Sequence, residues 1–359
     1  MNFDLSEEQG LLQETLRQFA QNECPPTRLR ALFESAEGHD PALWRGLAEL
    51  GIAGLCVPEE HGGAGLELLD LALAAEALGR AALPGPFFGH SLACLALALA
   101  GSDAQKRAWL PRLASGEAIG TLALGEPGGI WQPEEWRVEV ARGALRGAKT
   151  AVPWARIANL IVVGTAGGGL ALVEPGAAGV KIEDMGGVDR TRRIDSLGLE
   201  DAACEPLPGG AEAAPRVRDA ALVLLAADAY AAAQWLVATT VEYAKTREQF
   251  GVTIGHFQAL KHQLVAMAVE IEPARALYWY AAHAFDHLPE EAPRLAALAK
   301  AHLTERAQQI ARDAVEAHGG IGFTWECDVQ IWFKRCMFDR AFLGIPSVHR
   351  ERAAQLAGW

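Results

Sequence analysis

Apolar residues recur every three or four positions through the first third of the chain, the pattern of helices that each turn one face to a core. Ser6 and Gln9 make a capping-box start, and Leu11, Leu12, Leu16 and Phe19 follow at helical spacing. DPALWRGLAELG (40–51) and LELLDLALAAEALGRAAL (66–83) repeat the pattern, each closed by Gly or a loop, and DAQKRAWLPRLASGE predicts one more short helix. Near residue 118 the period changes. IGTLALGEP, WRVEVARG, ALRGAKTAVP, NLIVVGT and GLALVEP are short β-prone runs cut by Gly and Pro, with no room for crossover helices. That spacing predicts antiparallel strands in a barrel or sandwich and excludes a doubly wound sheet.

From about residue 215 the helical period returns in longer runs. DAALVLLAADAYAAAQWLVATTVEYAKTR, FQALKHQLVAMAVEIEPARALYWYAAHAF and APRLAALAKAHLTERAQQIARDAVEAHGG each predict a helix long enough to cross a domain. Shorter helical regions follow around IWFKRCMFDRAF and VHRERAAQLAG. The fold class expected is α+β: an N-terminal helical domain over 1–117, a middle antiparallel β-barrel over 118–214, and a C-terminal helical bundle over 215–359.

Composition narrows the partners. Half of the 359 residues are hydrophobic and 21% are charged, enough apolar surface for a large core. A net charge of -13 argues against a nucleic acid as the main partner. The longest stretch without Asp, Glu, Lys or Arg, residues 81–102, is broken by Pro84, Pro86 and Gly89, so it predicts a buried helix and no membrane span. The six cysteines form no CxxC pair, and no basic-then-apolar leader opens the chain, which predicts reduced thiols and a cytoplasmic protein.

Three motifs invite chemistry. GTAGGG (164–169) lies between two strand-like runs and opens no helix, so it reads as a hairpin turn and not a phosphate loop. His283 and His287 stand four apart with Asp286 between them, but no other ligand pair lies at a recognisable spacing; an exposed helix face, with no metal, is expected. YAKTREQFG (243–251) is the more informative. Arg247 falls at a helix end with Gly251 just beyond, which by itself describes a Gly-capped helix matched to its dipole. Yet Gln258 follows within a few residues, and a second Gly pair in EAHGGIGF (316–323) ends another long helix. Two helix ends with bare backbone and a guanidinium suit a pyrophosphate.

Taken together these stretches resemble the acyl-CoA dehydrogenase family over essentially the whole chain. PEEHGGAGLELLDLALAAEALG, QKRAWLPRLASGE, GEPGG, LRGAKTAVP, YAKTREQFGVTIGHFQALKH and AVEAHGGIGF occur in the family's order. The resemblance implies FAD bound in a cleft shared between two subunits, an acyl-CoA substrate oxidised to 2-enoyl-CoA, and an electron-transfer flavoprotein or similar acceptor. A carboxylate removes the proton alpha to the thioester while a hydride leaves the beta carbon for the flavin. Arg247, Phe250, Gln258, Gly319 and Gly320 resemble the residues that reach the ADP half of a neighbouring subunit's FAD.

Elsewhere the chain departs from the family. In most members the base is a Glu before the last helix; the matching stretch here is FLGIPS, with Leu343 at that position. A minority carry it at the start of the first long C-terminal helix, which falls on Ala221. Neither residue takes a proton. The Thr-Glu-Pro that faces the flavin reads Gly125-Glu126-Pro127, with no Ser or Asp after it, and Trp-x-Thr/Ser reads Ala151-Val152-Pro153. One carboxylate, Asp228, lies seven residues beyond Ala221 on the same helix face, either as a substitute base with a raised pKa or as a structural Asp. Three readings stay open: the base-lacking subunit of a hetero-oligomer, resembling chains of bacterial steroid side-chain dehydrogenases; a homo-oligomeric enzyme with Asp228 as base; and a flavin-free scaffold.

Overall fold

The computed structural model describes residues 4–359; Met1–Phe3, where the chain was read as opening without a leader, lie outside the described residues. The chain divides into two compact units. Described residues up to Asn22, with Ala72–Leu83 and Leu222–Trp359, make the first; Glu23–Leu71 and Pro84–Ala221 make the second.

Six helices come first: α1 (Glu7–Glu23), α2 (Pro26–Glu34), α3 (Pro41–Glu49), α4 (Leu68–Arg80), α5 (Phe87–Ala100) and α6 (Asp103–Ala114). The capping box is present, with Gln9 N–H donating to Ser6 Oγ at 3.2 Å and Ser6 N–H donating to Gln9 Oε1 at 3.1 Å. A second one, Ser102 with Gln105, opens α6. Helix α2 is unforeseen. It buries only Leu29 and Phe33, too few apolar positions for a period to register.

Eight strands follow: β1 (Gly120–Ala123), β2 (Glu139–Ala141), β3 (Ala144–Pro153), β4 (Leu160–Thr165), β5 (Gly169–Val173), β6 (Val180–Asp184), β7 (Ile194–Ala203) and β8 (Glu205–Pro206). They form two four-stranded sheets, ordered β1-β4-β5-β8 and β2-β3-β7-β6. Val138, Leu145, Val152, Ile161, Val163, Val173, Leu197 and Leu199, all buried, pack together as the core of this β region. GTAGGG is the β4–β5 hairpin turn, with Gly169 paired to Thr165. The pairing is antiparallel as expected with one exception. β1 runs parallel to β4, Gly120 opposite Leu160. The return that a parallel pair needs is made through the other sheet, since β2 and β3 lie between them in the chain. Strand spacing excludes a crossover helix but not a crossover built of strands.

The remaining elements are α7 (Gly210–Thr246), a hairpin of β9 (Glu248–Gln249) and β10 (Val252–Thr253), α8 (Gln258–Ile271), α9 (Arg275–His287), α10 (Ala292–His318), α11 (Val329–Ala341) and α12 (Pro346–Leu356). Helix α7 starts before the boundary expected at 215, taking in Pro215. By length and composition it could cross a membrane, but 83% of its most apolar window is buried inside the protein. The helix expected over 257–285 is two. Pro273 has no N–H to continue the ladder, and a 3₁₀ turn at Glu272–Ala274 separates α8 from α9. None of the six cysteines is in a disulfide.

His90 on α5 is fully buried and tied on both ring nitrogens. Gly120 N–H donates to Nδ1 at 3.1 Å, and Nε2–H donates to the Ala53 carbonyl at 3.0 Å. Those partners fix the neutral tautomer that carries its proton on Nε2. Burial, only partly offset by the carbonyls around it, pushes the imidazole down to about 4. The unfolded chain then takes up this proton near pH 6.5 while the folded one resists it. Stability from this group is complete above about pH 6.5 and is lost as pH falls toward 4, by up to roughly 3 kcal/mol. Urea unfolding at pH 7.5 and 4.5 should show this loss in the wild type, and His90→Gln should lack that component whatever its absolute stability. An identical pH slope in both proteins would remove His90 as its source.

Candidate functional site

In the first unit, the C-terminal ends of α7 and α10 meet through Tyr243 and His318, whose rings stack at 4.3 Å. Burial lowers the pKa of His318, and its Nδ1–H donates to the Ala314 carbonyl at 2.8 Å. The ring therefore serves as a flat neutral wall. Arg247 lies one residue past α7, its N–H donating to the Tyr243 carbonyl at 2.8 Å, and Gly319 and Gly320 directly follow His318. Gly255 packs so tightly on α7 that an added Cβ would lie 2.8 Å from the Ala244 carbonyl. That contact holds the start of α8, with Gln258, to the same end. The stack also borders a cleft of about 460 Å³ that Trp235, Glu242 and Ile321 help to line.

Arg247, Phe250, Gln258, Gly319 and Gly320 are all solvent-exposed. Gly251 does not cap the helix as expected. It forms the tip of the β9–β10 hairpin with Phe250, at φ 80° and 56° respectively. Both central residues are left-handed, as a two-residue hairpin requires, which makes Gly at the second position natural and Phe at the first an outlier. The hairpin holds the Phe250 side chain out, 92% exposed. Nothing lies within 4 Å of where a Cβ would sit on Gly251, Gly319 or Gly320, so these backbones are open to a ligand. An exposed guanidinium and two open glycines fit the phosphates of a dinucleotide cofactor.

The base positions are different. Leu343 is 1% exposed, and its carbonyl accepts from His349 Nε2–H at 3.0 Å. Buried Lys300 donates to the carbonyls of Asp339, Arg340 and Gly344, capping the end of α11 and fixing the turn that presents Leu343. Ala221 is buried within α7, well past its start. Asp228 is buried and held by Arg335, with Nη2 to Oδ1 at 2.7 Å and Nε to Oδ2 at 2.9 Å. An added Cβ on Gly79 would lie 2.5 Å from Asp228 Oδ1, so α4 carries Gly where the pair needs room. A guanidinium in this position takes the lone pairs that a base would offer to substrate.

In the second unit, Glu126 of the Gly125-Glu126-Pro127 motif is buried. It accepts from Lys149 Nζ at 2.8 Å and from the N–H groups of Arg137 and Val138 at 2.9–3.1 Å. Burial opposes its charge, but these donors hold its pKa below the usual carboxylate value. Ala151 sits in a bulge of β3, between Lys149 opposite Leu197 and Val152 opposite Asp195, with φ at 52°. Its N–H donates to Met185 Sδ at 3.1 Å, and the Pro153 carbonyl accepts from Thr121 Oγ1. The anchoring by Lys149, Lys300 and His349 was not anticipated. A lysine in a strand otherwise read as β-prone, KTAVP, was the one hint.

His283 and His287 stack on each other at 4.4 Å, and among the described residues no group of three or more His, Cys, Asp or Glu is placed to hold a metal.

An end built of Arg and bare Gly backbone defines a protein that can hold a phosphorylated cofactor, and comparison with known proteins gives the class. The acyl-CoA dehydrogenase N-terminal domain matches residues 6–117 and the acyl-CoA dehydrogenase C-terminal domain matches residues 219–357. The chain is 38% identical to acyl-CoA dehydrogenase IpdE2 of Mycobacterium tuberculosis, over 95% of this chain and 94% of that protein. A solved structure described as the Tcur3481-Tcur3483 steroid ACAD G363A variant is 32% identical with a TM-score of 0.91, covering 98% of each chain. A chain of the ChsE4-ChsE5 complex from Mycobacterium tuberculosis is 26% identical with a TM-score of 0.90, over 100% of this chain and 99% of that one. The chain belongs to the acyl-CoA dehydrogenase family, FAD-dependent oxidoreductases that act on acyl-CoA thioesters.

The Arg335 pairing sets the expectation for Asp228. Asp228→Asn removes the charge opposite a buried guanidinium and should cost about 3–5 kcal/mol, with Asp228→Leu/Arg335→Met recovering much of it. Catalysis by any assembly containing the single variant should fall only in proportion to folded protein. Thermal melts beside stopped-flow flavin reduction separate the two roles. Unchanged melting with abolished flavin reduction would restore Asp228 as a base.

Proposed function

We propose that this chain is the base-lacking subunit of a hetero-oligomeric acyl-CoA dehydrogenase, in which an unlike, homologous partner supplies the catalytic carboxylate. One contrast carries the reading. The residues that resemble a neighbour's ADP contacts are exposed and open, whereas both base positions are apolar and buried. Random loss would not sort the residues in this way. The two structural relatives described by paired names, one of them a steroid dehydrogenase, favour the same arrangement and a steroid side-chain thioester as substrate.

FAD, when bound, takes the hydride from the beta carbon of the thioester. This chain's part is to hold and orient it. Arg247 would donate charge-assisted hydrogen bonds to the pyrophosphate, and the open backbone at Gly319 and Gly320 would let the phosphates approach closely. Gln258 adds a neutral donor, and Phe250 an apolar surface that keeps water from the bound cofactor. Removal of the alpha proton falls to the partner, because Leu343 and Ala221 have no group to accept it. The Asp228–Arg335 pair weighs against the homo-oligomeric alternative, and a flavin-free scaffold would gain nothing from an exposed, strained Phe beside an anion cradle.

Purified alone, the chain should be colourless and inactive. Co-purified with its homologous partner, it should give a complex with fewer flavins than chains that oxidises acyl-CoA. Arg247→Ala should weaken FAD retention in that complex by about ten- to a hundredfold, the cost of a hydrogen bond to a charged group, roughly 1.5–3 kcal/mol. One FAD per subunit and normal turnover from the chain alone would overturn the proposal. An unchanged FAD dissociation constant in Arg247→Ala would return that residue to helix capping.

A further inference from the structure

Gly125 is buried, and the space above it is occupied. A Cβ on Gly125 would lie 2.5 Å from Cζ3 and 2.8 Å from Cη2 of Trp131, and 2.8 Å from the Thr150 carbonyl. The Thr that family members carry here therefore has no room in this chain. The half-buried indole stands where that side chain would face a flavin ring. The two other ring-facing positions offer little. The Ala151 N–H is directed to Met185 Sδ, and Pro153 has no N–H while its carbonyl accepts from Thr121.

Trp131 is not on a loose loop. Ile130 on one side bridges to Glu126, with Glu126 N–H donating to the Ile130 carbonyl at 2.9 Å. Glu126 is anchored in turn by Lys149, and by Arg137 and Val138 at the far end of the same loop. On the other side Gln132 accepts from the buried Arg218 guanidinium at 3.0 Å. Both neighbours of Trp131 in sequence are thus tethered, and the indole is held in place without needing a ligand to order it.

From this geometry we infer that Trp131 is an internal occupant of this chain's own isoalloxazine half-site, closing it to flavin. The inference rests on the base-lacking-subunit reading and deepens it. The chain does not merely lack ring contacts; it fills the ring's place with its own side chain, so that flavin can be seated only on the partner. The resident group and the half-site disagree here, while the backbone at Gly319 and Gly320 stays open.

Lumiflavin, which carries the ring and no phosphates, reads the half-site independently of Arg247. Quenching of its fluorescence should show no saturable binding to the wild-type full chain, and Trp131→Gly should bind it at least tenfold more tightly. Saturable binding by the wild type, or no gain in a Trp131→Gly protein that still melts cooperatively, overturns the inference. Should Trp131→Gly fail to fold, ¹⁹F NMR of the 5-fluorotryptophan-labelled chain decides, with Trp131→Phe assigning the resonance. That resonance should stay unshifted when FAD is added to the chain alone or to its complex. A shift would mean that the ring enters, and would sink the plug while leaving the Arg247 test untouched.

Discussion

A helix buried on every side cannot carry an unpaired charge, and much of this structure follows from how α7 meets that rule. From Val217 to Leu236 nearly every apolar residue is within a few per cent of full burial. Alanine dominates the run, which lets neighbouring elements approach closely at little cost in side-chain entropy. Three ions interrupt it: Arg218, Asp219 and Asp228, all buried. Burying an isolated ion is prohibitive, so each must have a partner in place. Arg218 takes Asp219 at 3.1 Å and reaches Gln132. Asp228 takes Arg335 and excludes any side chain at Gly79. Residues far apart in sequence are thereby dictated by charges on one helix. The Arg218 bond also fixes the loop that carries Trp131.

The fold was legible where local chemistry decides it. The Ser6–Gln9 box, the GTAGGG hairpin and the alternation of helical and strand-like texture all reflect contacts within a few residues. Part of what escaped depends on residues distant in the chain. The parallel β1–β4 pair is set by a return through a second sheet, which no window of sequence displays. Pro273 was visible but outweighed by a continuous apolar period, although a missing N–H ends a ladder whatever the period around it. Gly251 was assigned to the helix end because Gly caps helices, yet the two strands that make it a hairpin tip are only two residues each. The site divides similarly. Arg247 and the Gly319–Gly320 pair stood out by residue type. That Asp228 is held by Arg335, 107 residues away, is a fact of tertiary packing, and that Trp131 folds back on nearby Gly125 is set by a loop conformation that no residue period displays.

Strain is distributed in a way that bears on function. Phe250, Ala151 and Leu343 are three of the seven non-glycine residues with positive φ among the described residues, and the resemblance to the family singled out each of them. Holding such a residue costs of order 1–3 kcal/mol, which the surroundings must over-determine. At Ala151 the bulge of β3 and the sulfur of Met185 do so. At Leu343 the constraint comes from His349 and from Lys300 beneath the turn. The turn where the resemblance expects a carboxylate has this geometry with an apolar residue on it, turned into the protein. Catalysis by this residue cannot explain that geometry, because Leu343 has no group to take a proton. Packing can, since the same backbone binds His349 of α12 and Lys300 through its carbonyls.

Phe250 differs from the other two because its strained conformation places the side chain outside, 92% exposed, with the Phe257 ring edge-on to it at 6.1 Å. A buried aromatic offsets such a conformation with apolar area removed from water, about 25 cal/mol per Å², but an exposed one gains nothing until something covers it. The hairpin that holds it is short, and a Gly in place of Phe250 would relieve it at the loss of one edge-on contact with Phe257. Its persistence is therefore best understood as binding energy kept in reserve. On the proposed reading, the hairpin, tied by the Ile254 N–H to the Arg247 carbonyl, pre-organises an apolar surface near Arg247 for cofactor and partner. By the same logic Trp131 packs inward on Gly125, whereas the hairpin leaves its most costly residue in solvent. On the proposed reading, that contrast suits a subunit whose cofactor is seated across an interface.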